Sequence, residues 1–217
     1  MRFRDRTEAG RLLADKLKAY AGRPDVIVLA LPRGGVPVAF EVARALKAPL
    51  DVLIVRKLGA PDQPELAMGA IASGGVRVLN EDLLMYYPIP EEMIESVASR
   101  EQKELERREL AYRGDRPAFD VRGRTVILVD DGIATGTTMR SAVEALKKLH
   151  AAGIVVAVPV APVSTREEFQ RLKDHVTFTC LATPDAFFAI SLWYEDFPQV
   201  SDEEVCDLLK RAADKVK

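Results

Sequence analysis

Two adjacent carboxylates, Asp130 and Asp131, stand between the apolar run Val126 to Val129 and a small, hydroxyl-rich stretch ending at Thr138. Neighbouring carboxylates repel each other and resist burial unless a cation or a set of hydrogen-bond donors meets them. A ligand is the natural candidate. In the bend that follows, Ala134, Thr135, Gly136, Thr137 and Thr138 are small enough for the backbone to close around an anion. A helix beginning near Thr138 would turn its unsatisfied N–H groups toward that anion, and the threonine hydroxyls add donors. A phosphate monoester fits this cup. The aspartates would then face groups that donate hydrogen bonds, as the diol of a ribose does, so one ligand satisfying both is a ribose 5-phosphate. The bend carries neither the G-K-[ST] of a nucleoside-triphosphate loop nor the G-x-G-x-x-G of a dinucleotide fold.

Such a site needs a strand ending at Val129 and a helix after the bend, and the hydrophobic pattern places both in an alternating series. Asp5 to Gly22 opens with a D-x-x-E cap and carries Leu12, Leu13, Leu17 and Tyr20 on one helical stripe. Asp25 to Leu31 is a short run rich in Val, Ile and Leu, expected as a strand buried on both faces. The turn PRGG, a helix over 36–48 and a second apolar strand, Leu50 to Lys57, complete a crossover unit. Leu58 to Glu65 reads as an exposed mobile loop, and 67–80 as two short strands around a Ser-Gly-Gly turn. Pro90 to Arg113 is a highly charged helix, either a salt-bridged surface helix or an arm against a partner subunit.

After the strand Thr125 to Val129 come a helix from Thr138 to Ala151, a strand over 153–160, a helix from Ser164 to Lys173, a strand over 176–182 and a closing helix from Ser201 to Lys217. The fold class expected is α/β: a Rossmann-like core with a mostly parallel sheet flanked by helices, plus a helical insertion and a small C-terminal hood. The division is a single domain over 1–217, with its core at about 25–181, the insertion at about 81–117, the hood at about 182–200 and the C-terminal helix at 201–217.

A chain of 217 residues with 48% hydrophobic and 29% charged residues can bury a substantial core. Its net charge of -2 exerts no global pull toward nucleic acid or an anionic membrane. Met1 to Gly10 is polar, and the apolar run from Ala151 is too short and too interrupted by Gly and Pro to cross a bilayer, so a cytoplasmic location is expected. Cys180, Cys206, His150 and His175 show no metal spacing and read as packing or surface residues. Asn80 is the only asparagine, and with abundant charge this hints at a heat-adapted source.

The stretch VILVDDGIATGTT resembles the phosphoribosyl-pyrophosphate (PRPP) signature of type I phosphoribosyltransferases: four apolar residues, two acids, three variable positions, then a Thr-Gly-x-Thr phosphate loop. Gly132 departs from that family, which prefers a larger apolar residue there. The resemblance implies transfer of a 5-phosphoribosyl group from PRPP to a nitrogen of a small heterocyclic acceptor, with release of pyrophosphate. It makes Asp130 and Asp131 the catalytic acids on the ribose diol, residues 134–138 the 5'-phosphate cup, and LPRGGVP, with Arg33, Gly34 and Gly35, the pyrophosphate loop. That loop often contains a cis Arg-Gly peptide in the family. Arg56 and Lys57 would also touch pyrophosphate, and the lid after them lacks a catalytic lysine. Mg2+ would be held mostly by substrate and water, with Asp130 and Asp131 as protein ligands. Ala134 stands where 6-oxopurine enzymes have an aspartate, which weakens that acceptor class without naming another.

The hood aromatics are Phe187, Phe188, Trp193, Tyr194 and Phe197, of which Trp193 and Phe188 are the acceptor-stacking candidates. The partners implied are PRPP and a small-molecule acceptor, with a homodimer as the expected assembly and neither membrane nor nucleic acid. Two alternatives stay open: a regulator or sensor that binds PRPP without transfer, and a PRPP-synthesising kinase, for which neither a duplicated domain nor an ATP site is evident.

Overall fold

The computed structural model describes residues 1–114, 116–118, 120–172 and 175–214. Helix α1 (Arg6–Lys16) opens at the expected Asp5 cap: Glu8 N–H donates to Asp5 Oδ1 at 2.7 Å, while the Glu8 side chain reaches past the cap and its Oε2 accepts from Arg4 N–H at 2.6 Å. It ends earlier than expected, and a turn of 3-10 helix at Lys18–Tyr20 carries the chain toward Gly22. Then follow β1 (Val26–Ala30), α2 (Gly35–Leu46), β2 (Leu50–Val52), β3 (Val55–Ala60), β4 (Gln63–Ala72), β5 (Val76–Leu79), α3 (Glu81–Tyr86) and α4 (Glu91–Arg113). The second half is β6 (Thr125–Val129), α5 (Thr137–Lys148), β7 (Gly153–Val160), α6 (Val163–Arg171), β8 (Val176–Ala182) and α7 (Asp202–Ala213). Lys173 and residues 215–217, expected as helix, lie outside the described residues, as does residue 115 of the insertion.

Five strands form a parallel sheet in the order β2-β1-β6-β7-β8, so the expected α/β architecture is the observed one. Along β1 the side chains alternate between two cores. Val26, Val28 and Ala30 pack with α1, α2 and α7, whereas Ile27 and Leu29 pack with the α5 and α6 side. β1 and β6 lie side by side, and both of their carboxyl ends open on the same edge.

The structure corrects four local expectations. Leu50 to Lys57 is not one strand. β1 gives way to the PRGG loop after Ala30, so β2 has nothing parallel to pair with beyond Leu53, whose N–H donates to the Ala30 carbonyl. The chain then enters a separate antiparallel sheet, β3-β4-β5. Second, Leu58 to Glu65 is not a loop but the turn end of the β3-β4 hairpin, with Leu58 fully buried. The prolines and Gly59 that suggested a loop sit at its turn and bulge, where a Cβ on Gly59 would lie 2.4 Å from the Pro64 carbonyl oxygen. Third, α6 starts at Val163 behind Pro162 with no side-chain cap, so Ser164 and Glu167 form no box. Fourth, α5 starts at Thr137 rather than Thr138 and stops at Lys148.

α4 is salt-bridged, as its composition suggests, and it also packs against its own chain. Ile94, Val97, Ala98, Leu105 and Tyr112 bury one stripe in the main core. Near its end the Arg113 guanidinium donates to both Asp51 carboxylate oxygens at 2.9 Å, to Glu109 at 2.8 Å and to the Val52 carbonyl at 2.6 Å. Both Arg113 and Asp51 are buried, so removing one partner leaves a charge in the interior. The variant Asp51→Ala is expected to lower the unfolding free energy by about 3 kcal/mol, measured by urea denaturation followed by circular dichroism.

Candidate functional site

Two loops leave the carboxyl ends of β1 and β6 and press on each other. A Cβ built on Gly34 would lie 2.1 Å from Asp131 Oδ2, and one on Gly35 would lie 2.8 Å from the Val129 carbonyl and 2.9 Å from Asp130 Cα. These glycines are required by close approach rather than by backbone angle, since Gly34 has ordinary helical φ and ψ. A cis peptide is present in this loop, but it joins Pro32 to Arg33, one bond before the Arg33–Gly34 linkage where it was expected.

Asp131 is 8% exposed and is met by a cation that the sequence motifs do not point to. Arg6, the first residue of α1, places Nε and Nη2 each 2.9 Å from Asp131 Oδ2. Asp131 N–H donates to Asp130 Oδ1 at 2.8 Å, and the Tyr194 hydroxyl donates to the Asp131 carbonyl at 2.6 Å. Burial, reinforced by the Asp131 charge, pushes the Asp130 carboxyl well above the usual carboxylate range. Burial raises Asp131 as well, against the opposing pull of Arg6. Burial also raises the Tyr194 hydroxyl, which keeps it a donor.

The bend after the aspartates ends in an open helix terminus. Gly136 sits at the N-cap of α5 with φ of 75°, a left-handed conformation natural to glycine, and no side chain caps the helix. Ala134, Thr135, Thr137 and Thr138 are exposed around it. Arg140 reaches back from the first turn to donate to Thr137 Oγ1 at 3.2 Å, while its other nitrogen holds Glu168.

A cavity of about 440 Å3 lies against Arg6, Arg33, Gly34 and Asp131 on one side and Ile190, Phe197 and Pro198–Val200 on the other. This second wall is the hood, and it is built from both ends of the chain: Phe3 N–H donates to the Trp193 carbonyl, and the N–H groups of Glu195 and Asp196 donate to Phe3 and Arg4. The departure at Gly132 has its reason here. A Cβ on Gly132 would lie 2.8 Å from Ile190 Cγ2 and 3.1 Å from Val160 Cγ1, so the hood fills the space of a larger side chain.

The remaining site candidates lie elsewhere. Trp193 and Phe188 line a different cavity with Met1 and Arg2, and Phe188 is 85% exposed. Tyr194 is buried beside Phe3 and Phe197. Arg56 and Lys57 are on β3, facing α4 across a cavity of about 600 Å3, where Arg56 donates to Glu101 at 2.5 Å and Lys57 to Glu65 at 3.3 Å. The structure therefore brings together Arg33, Gly34, Gly35, Asp130 and Asp131, adds Arg6, and sets Arg56, Lys57, Trp193 and Phe188 apart. Among the described residues no group of three or more His, Cys, Asp or Glu could hold a metal ion. A hard cation at Asp130 and Asp131 would thus draw most of its oxygen ligands from substrate and water, as Mg2+ does at phosphate sites. Likewise no described helix is long and apolar enough to cross a membrane.

Residues 6–192 match the family model of the phosphoribosyl transferase domain. The chain belongs to the phosphoribosyl transferase family. It is 48% identical over 210 residues to a provisionally named phosphoribosyl transferase of Mycobacterium tuberculosis, a match covering 97% of this chain and 47% of that protein. The chain spans about half the length of these curated relatives. A ribose-phosphate pyrophosphokinase of Methanopyrus kandleri is 36% identical over 159 residues, 64% of this chain and 54% of that protein. Among solved structures, one from Thermus thermophilus superposes with a TM-score of 0.84 at 44% identity, covering 97% of this chain and 99% of that one. A structure from Aquifex aeolicus, at 12% identity and a TM-score of 0.51 over 94% of this chain and 83% of that one, shares the fold alone.

In this phosphoribosyl transferase domain, the acidic pair sets a pH dependence. The folded state holds a proton on Asp130 more tightly than the unfolded chain does. That contribution to stability is present below the ordinary carboxylate range and is lost as pH rises through the raised folded value. Replacing Asp130 by Asn removes the half-buried charge while keeping an acceptor for Asp131 N–H. Thermal melts of the ligand-free protein should show Asp130→Asn gaining Tm over wild type, with a gap that widens from pH 4.5 to pH 8.

Proposed function

We propose that this chain binds PRPP and transfers its 5-phosphoribosyl group to a nitrogen of a small heterocyclic acceptor, releasing pyrophosphate. The observation that carries this reading is the packing of the PRGG loop directly on the two aspartates beside an open helix N-terminus. One ligand with a phosphate at one end, a diol in the middle and a diphosphate at the other would satisfy all three.

In this reading Thr135, Thr137, Thr138 and the first N–H groups of α5 bind the 5'-phosphate, aided by the positive end of the helix dipole. Asp130 and Asp131 accept hydrogen bonds from the ribose hydroxyls and favour positive charge developing on the ring as the bond to pyrophosphate breaks. Arg33, half-exposed at the cavity wall, offers its fork of donors to the departing diphosphate. Mg2+, when bound, would neutralise charge on the diphosphate oxygens. Arg56 and Lys57 reach that group only if the β3-β4 hairpin moves them away from Glu101 and Glu65. The acceptor lies against Ile190, Phe197 and Val200, the residues that share a cavity with Asp131. Trp193 and Phe188 would serve it only from outside that cavity.

A second reading, a PRPP sensor without transfer, draws on the Arg6–Asp131 ion pair, which already occupies one oxygen of the acid. Calorimetry with PRPP and Mg2+, paired with pyrophosphate release over a panel of purines, pyrimidines and nicotinate, separates the two. Binding with release from at least one acceptor is the expected result, binding without release from any acceptor is the sensor, and no binding removes both. Because a methyl group on residue 34 must displace the Asp131 carboxylate, Gly34→Ala is expected to weaken PRPP binding at least about tenfold, roughly 1.4 kcal/mol, in the same calorimetric assay.

A further inference from the structure

We propose that Arg6 is a positioning residue for sugar recognition: it turns Asp131 so that one carboxylate oxygen faces the ribose diol, and it ties that grip to the hood. The inference rests on the ribose-phosphate reading of the site and adds to it a residue at the far end of the chain.

Arg6 approaches Asp131 from the side, with Nε and Nη2 both on Oδ2, so Oδ1 is left outside the pair. From the opposite direction the Gly34 backbone closes on the same group, since a Cβ there would lie 2.1 Å from Oδ2 but 3.3 Å from Oδ1. The carboxylate is therefore held between a guanidinium and a glycine, which leaves Oδ1 outside the ion pair and farther from the Gly34 backbone. The remaining functions of the guanidinium point to the hood. Nη1 donates to the Pro198 carbonyl at 2.8 Å, and the guanidinium carbon lies 3.8 Å from the centre of the Phe197 ring.

One side chain, 9% exposed, thus joins the start of α1, the acid of the β6 loop and the hood segment 197–198, and all three border the same cavity. A lysine could supply the charge but not the fork, because its ammonium group cannot place two donors on Oδ2 and a third on Pro198 while stacking on Phe197. A purely structural ion pair would have no consequence for which sugar is bound. A positioning role does, because it governs a hydrogen bond to a single hydroxyl.

The test is calorimetric binding of ribose 5-phosphate, 2-deoxyribose 5-phosphate and 3-deoxyribose 5-phosphate to wild type, Arg6→Gln and Arg6→Lys, with circular dichroism to establish folding. Wild type is expected to prefer ribose 5-phosphate over at least one deoxy sugar by about tenfold. Arg6→Gln should bind all three alike, at the affinity wild type shows for the weaker deoxy sugar, because the phosphate cup is intact. Arg6→Lys should retain less than half of the wild-type discrimination, and it decides the matter if Arg6→Gln does not fold. A folded Arg6→Gln, or failing that Arg6→Lys, with full discrimination would overturn the proposal while leaving the site reading intact. Wild type that binds all three sugars equally would also overturn it. Wild type that binds none would remove the ribose-phosphate reading together with this one.

Discussion

Two neighbouring carboxylates taken largely out of water at the end of a strand constrain everything around them. Each loses hydration, and the Asp131 charge raises the cost of ionising Asp130 further. Asp131 is accommodated by a buried arginine, a tyrosine hydroxyl on its carbonyl and the close approach of Gly34, which has no side chain. Asp130 has less: the backbone N–H of its neighbour, and a desolvated environment that favours the protonated form. A fold that placed these acids only for stability would gain by replacing them with apolar residues. Asp131 stands instead in a cavity wall with Arg33, and it is on this placement that the proposal of a phosphorylated sugar ligand rests.

The scaffold delivers this arrangement through strand order. Because β1 and β6 are adjacent and parallel, the loops after Ala30 and Val129 leave the same edge within contact distance, and glycines 34 and 35 let them touch. The hood closes over that edge from a third direction. It has few backbone bonds of its own and relies on Phe3 and Arg4 for pairing, so both ends of the chain cooperate in one wall. Gly132 and Ile190 show the same economy of space: a hood residue occupies the volume that a larger side chain in the motif would fill.

Charge is distributed on two levels around the site. Arg6 and Arg33 border the cavity itself, whereas Arg56 and Lys57 stand on a separate antiparallel hairpin and are paired with Glu101 and Glu65. Glu101 also meets Arg100, so the hairpin is moored to α4 by a cluster of partly exposed charges. The Lys57–Glu65 pair is exposed and contributes little, whereas Arg56 and Glu101 are partly buried. The β3-β4 hairpin itself is held by apolar packing, with Leu58, Met68 and Ile71 buried in the main core, and the ion pairs lie outside that packing.

The sequence by itself determined the alternation of strands and helices, the acidic pair, the hydroxyl-rich bend and the glycine loop. All of these depend on interactions within a few residues: hydrophobic period, capping chemistry and the small residues needed where a backbone must approach something. It was also sufficient for the family, because the motif is contiguous. Only the tertiary structure decided which side chains complete the site. Arg6 lies 125 positions from Asp131, and nothing in a helix-opening D-R-T-E distinguishes an arginine aimed inward from one on the surface. The same holds for Ile190 and Phe197, which line the cavity while the more conspicuous Trp193 and Phe188 face away. The break between β2 and β3, which removes Arg56 and Lys57 from the parallel sheet, follows from where β1 ends, and a strand's own sequence does not record the length of its neighbour. Local physics wrote the motifs, and long-range packing assigned their neighbours.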